Sequence, residues 1–95
     1  MRGVLSITRP LRLMSIPIAI VATAIVPDGP PIALELRGVR YVVAHSVGPE
    51  RIETGWWRGP HVQRDYYRVA TREGRRAWLF RERETGKWFL HGWFD

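Results

Sequence analysis

Aromatic rings and guanidinium groups interleave in two short stretches of this chain, Trp56-Trp57-Arg58 and Arg64-Asp65-Tyr66-Tyr67-Arg68. Two binding chemistries use that mixture. In one, rings stack on bases while Arg58, Arg64 and Arg68 follow phosphates, as in small barrels that hold single strands. In the other, exposed Trp, Tyr and Arg anchor a protein interface. A third arrangement binds nothing: Trp57, Tyr67, Trp78 and Trp88 fill a core, and the arginines lie over the rings or pair with Asp65 and Glu82. Neighbours on an extended backbone point to opposite faces. One ring of Trp56-Trp57 and one of Tyr66-Tyr67 is therefore expected outside, and the candidate partner-binding set is Trp56, Trp57, Arg58, Arg64, Asp65, Tyr66, Tyr67 and Arg68.

Catalytic chemistry finds little to work with. Ser6, Ser15 and Ser46 lie in no nucleophile-elbow context, and no glycine-rich phosphate loop occurs. His45, His61 and His91 are too dispersed for a local metal signature and read as surface or strand-end histidines. His61 with Asp65 forms at most a local pair with no nucleophile near it in sequence. The absence of cysteine excludes a disulfide framework and a cysteine-based zinc site. The expectation is a binding module, not an enzyme, with no catalytic residue, metal or cofactor.

A length of 95 residues suits one domain with one core. Five Trp, three Tyr and three Phe give that core bulk. The net charge of +6 makes an anionic partner plausible. Arg2, Arg9 and Arg12 supply +3 of it, so from Leu13 onward twelve basic residues face nine acids and the folded part is only mildly basic.

The elements that must position the rings are strands. Residues 1–12 read as a basic, frayed segment and residues 13–95 as a single all-β domain. The apolar run Leu13 to Val26 is shorter than the ~20 residues of a membrane span, and two readings of it stand: a signal peptide, since Ala22-Thr23-Ala24 has the form of a cleavage site, and, the favoured one, a long strand. Ile16, Ile18, Ile20, Ala22, Ala24 and Val26 fall on one face and Ala19, Val21 and Ile25 on the other, a pattern that suits a strand covered on both sides. Pro27-Asp28-Gly29-Pro30-Pro31 ends it. Ile32 to His45 reads as a hairpin turning at Gly38, with Ile32, Leu34 and Leu36 on one face. Gly48-Pro49, Gly55 and Gly59-Pro60 predict an irregular connection from Ser46 to Val62. A second hairpin follows, Asp65 to Thr71 and Arg76 to Glu82, and after the turn Glu84-Thr85-Gly86-Lys87 a last strand runs from Trp88 to near Phe94. The expected fold is a small barrel-like or strongly twisted antiparallel sheet of about six strands.

Beyond these physical readings, the ordered string Arg9-Pro10-Leu11-Arg12-Leu13, Val26-Pro27-Asp28-Gly29-Pro30-Pro31, Gly48-Pro49-Glu50-Arg51-Ile52, Trp56-Trp57-Arg58, Arg64-Asp65-Tyr66-Tyr67-Arg68-Val69, Trp78-Leu79-Phe80-Arg81-Glu82 and Trp88-Phe89-Leu90-His91-Gly92 resembles the C-terminal extension of ImuB. That family is the non-catalytic, Y-family polymerase-like subunit of the bacterial mutasome, and related short proteins carry the same module alone. The resemblance runs from about Arg9 to Asp95. It implies a protein-interaction role in DNA damage tolerance and translesion synthesis, protein partners from a DNA-repair complex, and cytoplasmic placement without a membrane. The alternative is a single-stranded nucleic-acid-binding small β-barrel. The polymerase-like regions of the family are missing from this chain, and Gln63 does not open a clamp-binding sequence. Clamp contact through that motif is not implied.

Overall fold

Alternation of apolar and polar side chains, broken by turn residues, yields six strands: β1 (Leu11–Ala24), β2 (Pro31–Leu36), β3 (Val39–Thr54), β4 (Val62–Thr71), β5 (Arg76–Glu82) and β6 (Trp88–Phe94). The structure is a computed structural model and describes residues 11–54 and 62–94. Each strand pairs antiparallel with the next, and β1 pairs back onto β6, so the sheet closes in the order β1-β2-β3-β4-β5-β6. Among the described residues there is no helix. The fold is all-β, a closed and strongly twisted sheet.

Closure gives every strand one inner face. Leu34, Tyr67, Val69, Ala77, Leu79, Trp88 and Leu90 fill the interior, with Met14, Ile18, Ile20, Ala22, Leu36, Tyr41, Val43 and Trp93 packed around them. The register explains why one strand's core residue meets the next: Tyr67 lies opposite Leu79, and Leu79 opposite Leu90, which in turn faces Ile18.

Three expectations from sequence need correction. The outer face of β1 is not covered: Val21 is 68% exposed and Ile16 78%, because the described strands form one closed sheet with a single inside. Ile16 also leaves the Ile18 face, since the β1–β6 register shifts between Leu13 and Ile18. In β2 the alternation fails at its start, where Ile32 is exposed and Ala33 buried, beside a register shift between Thr23 and Ala24. The predicted irregular connection after Ser46 is, as far as Thr54, the second half of β3. Gly48-Pro49 is accommodated there in a bulge between Val47 and Glu50. Gly48 has φ +138°, and a Cβ at this position would stand 2.6 Å from the Tyr66 carbonyl oxygen, so the strand crosses Tyr66 only with glycine there.

Candidate functional site

The second half of the sheet carries two cross-strand rows that differ by one residue. The inner row is Arg51–Asp65–Arg81–Trp88, and the outer row is Glu50–Tyr66–Phe80–Phe89, each side chain opposite the next in register. Adjacent residues face opposite ways on a strand, which is why Asp65, Tyr66 and Tyr67, although consecutive, join different environments.

On the outer face the rings pack on one another. Tyr66 stacks on Trp78 with centroids 4.3 Å apart, Trp78 on His91 at 5.2 Å and nearly parallel, and Phe80 on Phe89 at 5.1 Å. The Arg64 guanidinium lies 4.2 Å above Phe80 and donates to the Tyr66 hydroxyl at 3.0 Å. That hydroxyl lies 2.9 Å from His91 Nδ1. Arginine only donates, so the Tyr66 oxygen accepts from Arg64 and its own proton is available to a neutral imidazole. Burial, and secondly the charge of Arg64, lower the His91 pKa and favour that neutral form. Tyr66 and Phe80 are 4% and 2% exposed, so their faces are covered within the cluster. Trp78, Phe89 and His91 are half-buried and form its rim.

Beside this cluster runs an open groove of about 340 Å³, lined by His45, Val47, Arg68, Arg76 and Phe94 among others. Arg68 and Arg76 are exposed, and neither makes an ion pair among the described residues. An apolar floor with two available guanidinium groups is suited to a side chain or ring that carries or adjoins an anion.

On the inner face, Asp65 is buried among arginines. Arg51 Nε donates to one carboxylate oxygen at 3.0 Å, and Arg81 Nη2 stands 3.5 Å from the other, with Arg83 Nε at 3.9 Å. Arg81 also reaches Asp28 at 3.1 Å, and Arg83 reaches Glu53 at 3.4 Å. This network closes the end of the sheet where β1 finishes and β2 begins. Tyr67 lies next along the interior, its ring 5.5 Å from that of Trp88. Its hydroxyl has no hydrogen-bond partner, and burial, then the charge of Asp65, raises its pKa.

The candidate residues read from sequence are therefore distributed as follows. Arg64 and Tyr66 belong to the outer cluster, Asp65 and Tyr67 to the interior, and Arg68 to the groove. Trp56, Trp57, Arg58 and His61 lie outside the described residues. Both tyrosines of the adjacent pair are buried, one on each side of the sheet. Trp78, assigned to the core together with Trp88, is instead on the outer face, since it shares the parity of Phe80 and not of Leu79. His91, read as a surface or strand-end residue, sits among the rings. Its alternation with Phe89 was the available signal, and the bulge between Trp78 and Leu79 opposite it was not visible in sequence. Among the described residues no group of three or more His, Asp or Glu is arranged to hold a metal ion.

Comparison with known proteins adds a relative. No family model matches the chain, and no solved structure matches it. Protein ImuB from Caulobacter vibrioides strain NA1000 / CB15N is 43% identical over 100 aligned positions, and the same protein from strain ATCC 19089 / CIP 103742 / CB 15 is equally similar. The alignment takes in 90% of this chain but only 22% of the relative, so the chain spans about a fifth of the length of the proteins it matches. Over nine-tenths of its length, then, this closed β-sheet is an ImuB-like module.

Proposed function

We propose that the chain is a non-catalytic protein-interaction module of mutagenic DNA repair, acting in the cytoplasm beside the protein partners of a translesion-synthesis complex. The observation that carries this reading is the 43% identity to ImuB across 90% of the chain. In it, Arg68 and the segment Trp56-Trp57-Arg58 contact the partner, while Arg64, Asp65, Tyr66 and Tyr67 hold that surface in shape from either side of the sheet. The open groove beside Arg68 and Arg76 supports a protein contact. A single-strand reader needs accessible ring faces; those of Tyr66 and Phe80 are covered, and Trp78 and Phe89 at the rim are half-buried.

Affinity capture with the full chain from DNA-damaged cells tests the proposal. Replication or repair proteins are expected to be retained by the native chain and lost with Arg68→Glu at unchanged melting temperature. Recovery of none would overturn it. Anisotropy with a labelled oligonucleotide at stepped salt checks the other class, because phosphate contacts weaken steeply with salt.

A further inference from the structure

The two ends of the closed sheet treat their arginines differently. Where β1 ends and β5 runs into β6, Arg51, Arg81 and Arg83 are tied to Asp65, Asp28 and Glu53. At the opposite end, formed by the start of β1, the β2–β3 turn and the β4–β5 turn, stand Arg12, Arg37, Arg40, Arg72, Arg75 and Arg76, with Glu35 and Glu73 as the acids among the described residues. Among the described residues Arg37, Arg40, Arg72 and Arg75 make no ion pair.

Among the described residues that end is also open. A cavity of about 300 Å³ enters the interior there, walled by Met14, Ile18, Leu36, Tyr41, Leu90 and Trp93, and Arg37 and Arg75 line it as well. Both rim arginines are held in place. Arg75 lies 4.1 Å over the Trp93 ring, on a turn fixed by its backbone N–H to Thr71 Oγ1 at 3.0 Å and by the Arg72 N–H to the Val42 carbonyl at 2.9 Å. Arg37 occupies a left-handed position, φ +53°, followed by Gly38 at +81°. A two-residue hairpin turn with both φ positive favours Asn-Gly. Arginine is a poor choice for the turn and a good one for placing a cation at the cavity mouth.

We propose that this end of the sheet is a second docking site, which takes an acidic peptide segment of a protein partner. One bulky apolar side chain of the segment enters the cavity, and flanking carboxylates meet Arg37 and Arg75. The cavity is at the lower bound of ligand-pocket volumes, room for one bulky side chain, and the exposed guanidinium groups at its mouth match carboxylates on either side of it. Nucleic acid would find walls that are aliphatic apart from Tyr41, and a Trp93 ring already covered by Arg75. This deepens the protein-interaction reading and rests on it.

The test uses the intact ¹⁵N-labelled chain and a synthetic probe, acetyl-Asp-Glu-Phe-Asp-Glu-amide. Saturable shifts are expected at the amides of Arg37, Gly38 and Arg75 and at the Trp93 indole, with a submillimolar Kd. The Asn/Gln form of the probe and the form with Ser for Phe should each bind about tenfold more weakly. Arg37→Asn should raise the melting temperature, because it suits the turn, and yet weaken binding by about fivefold, the upper end for an exposed charge pair. A structural role for Arg37 cannot produce that pairing of effects. Absence of saturable shifts, equal binding of the uncharged probe, or tighter binding of decanoate or a twelve-nucleotide oligo-dT at the same resonances would overturn the site. Capture from damaged cells by an Arg37→Asn/Arg75→Glu variant separates the two proposals: unchanged capture of repair proteins without probe binding removes this site and leaves the module's role, whereas probe binding without any such capture by the native chain does the reverse.

Discussion

The ring of Tyr67 packs inside the sheet against Trp88, while its hydroxyl is buried without a hydrogen-bond partner. An unsatisfied buried hydroxyl contributes nothing favourable, and its removal in a shape-preserving substitution is close to neutral or stabilising. Tyr67→Phe should therefore leave urea-unfolding stability unchanged or raise it, whereas Tyr67→Ala, which removes the ring, should cost about 3–5 kcal/mol. A large loss in Tyr67→Phe would mean that the hydroxyl is bonded after all. His91 gives a second residue-scale prediction. Its pKa in the folded chain is lowered, chiefly by burial, so as pH falls through the ordinary histidine value of about 6.5 the unfolded chain takes up the proton first. Stability contributed by the neutral ring is complete above that value and declines below it. Melting temperature should drop between pH 7 and pH 5, and His91→Gln should flatten that drop. An unchanged slope would show that other groups set it.

At the scale of elements, the most informative strand is β3. Gly48-Pro49 is a loop signal by any local rule, yet the strand continues through it to Thr54, because a bulge and a loop begin with the same residues and only the partner strand decides between them. The partner is β4, whose Tyr66 carbonyl approaches within 2.6 Å of where a Gly48 Cβ would be. Gly48→Ala should accordingly destabilise by more than about 1 kcal/mol, and hydrogen exchange should quicken on both sides of the bulge. Mild behaviour of this variant would argue that β3 and β4 part easily there. Strands β4, β5 and β6 were legible in the sequence, since the turns between them contain glycine and each strand is a short run rich in aromatic and β-branched residues. Which face was inside was not, because β5 is apolar on both: Leu79 and Ala77 on one side match Trp78 and Phe80 on the other in hydrophobicity. The outer cluster is settled only by partners far along the chain, such as His91 for Tyr66. The same limit applies to Asp65, whose partners Arg51 and Arg81 are distant in sequence and adjacent only through the register. No local pattern marks such a pairing.

For the molecule as a whole, closure creates two ends, and the described residues treat them in opposite ways: an ion-pair network around the buried Asp65 and Arg81 at one and an open, arginine-rimmed cavity at the other. The network is the costlier device. Taking charges from water carries a desolvation penalty that their attraction offsets only with good geometry, and here Arg81 Nε remains without a partner. Removing one member should be worse than removing both. Asp65→Asn leaves Arg81, whose side chain is 10% exposed, facing the interior with only the exposed Asp28 as its counter-charge, and should cost about 3 kcal/mol. Adding Arg81→Met to that variant should recover most of the loss, because the long apolar side chain fills the same space beside Trp88 without a charge, while Arg51 and Arg83 are exposed enough to turn to water. Chemical unfolding of the two single variants, the double variant and the native chain gives the coupling between the sites directly. Strictly additive losses would show that Asp65 and Arg81 act independently, and that the end of the sheet is held by packing and not by the pair.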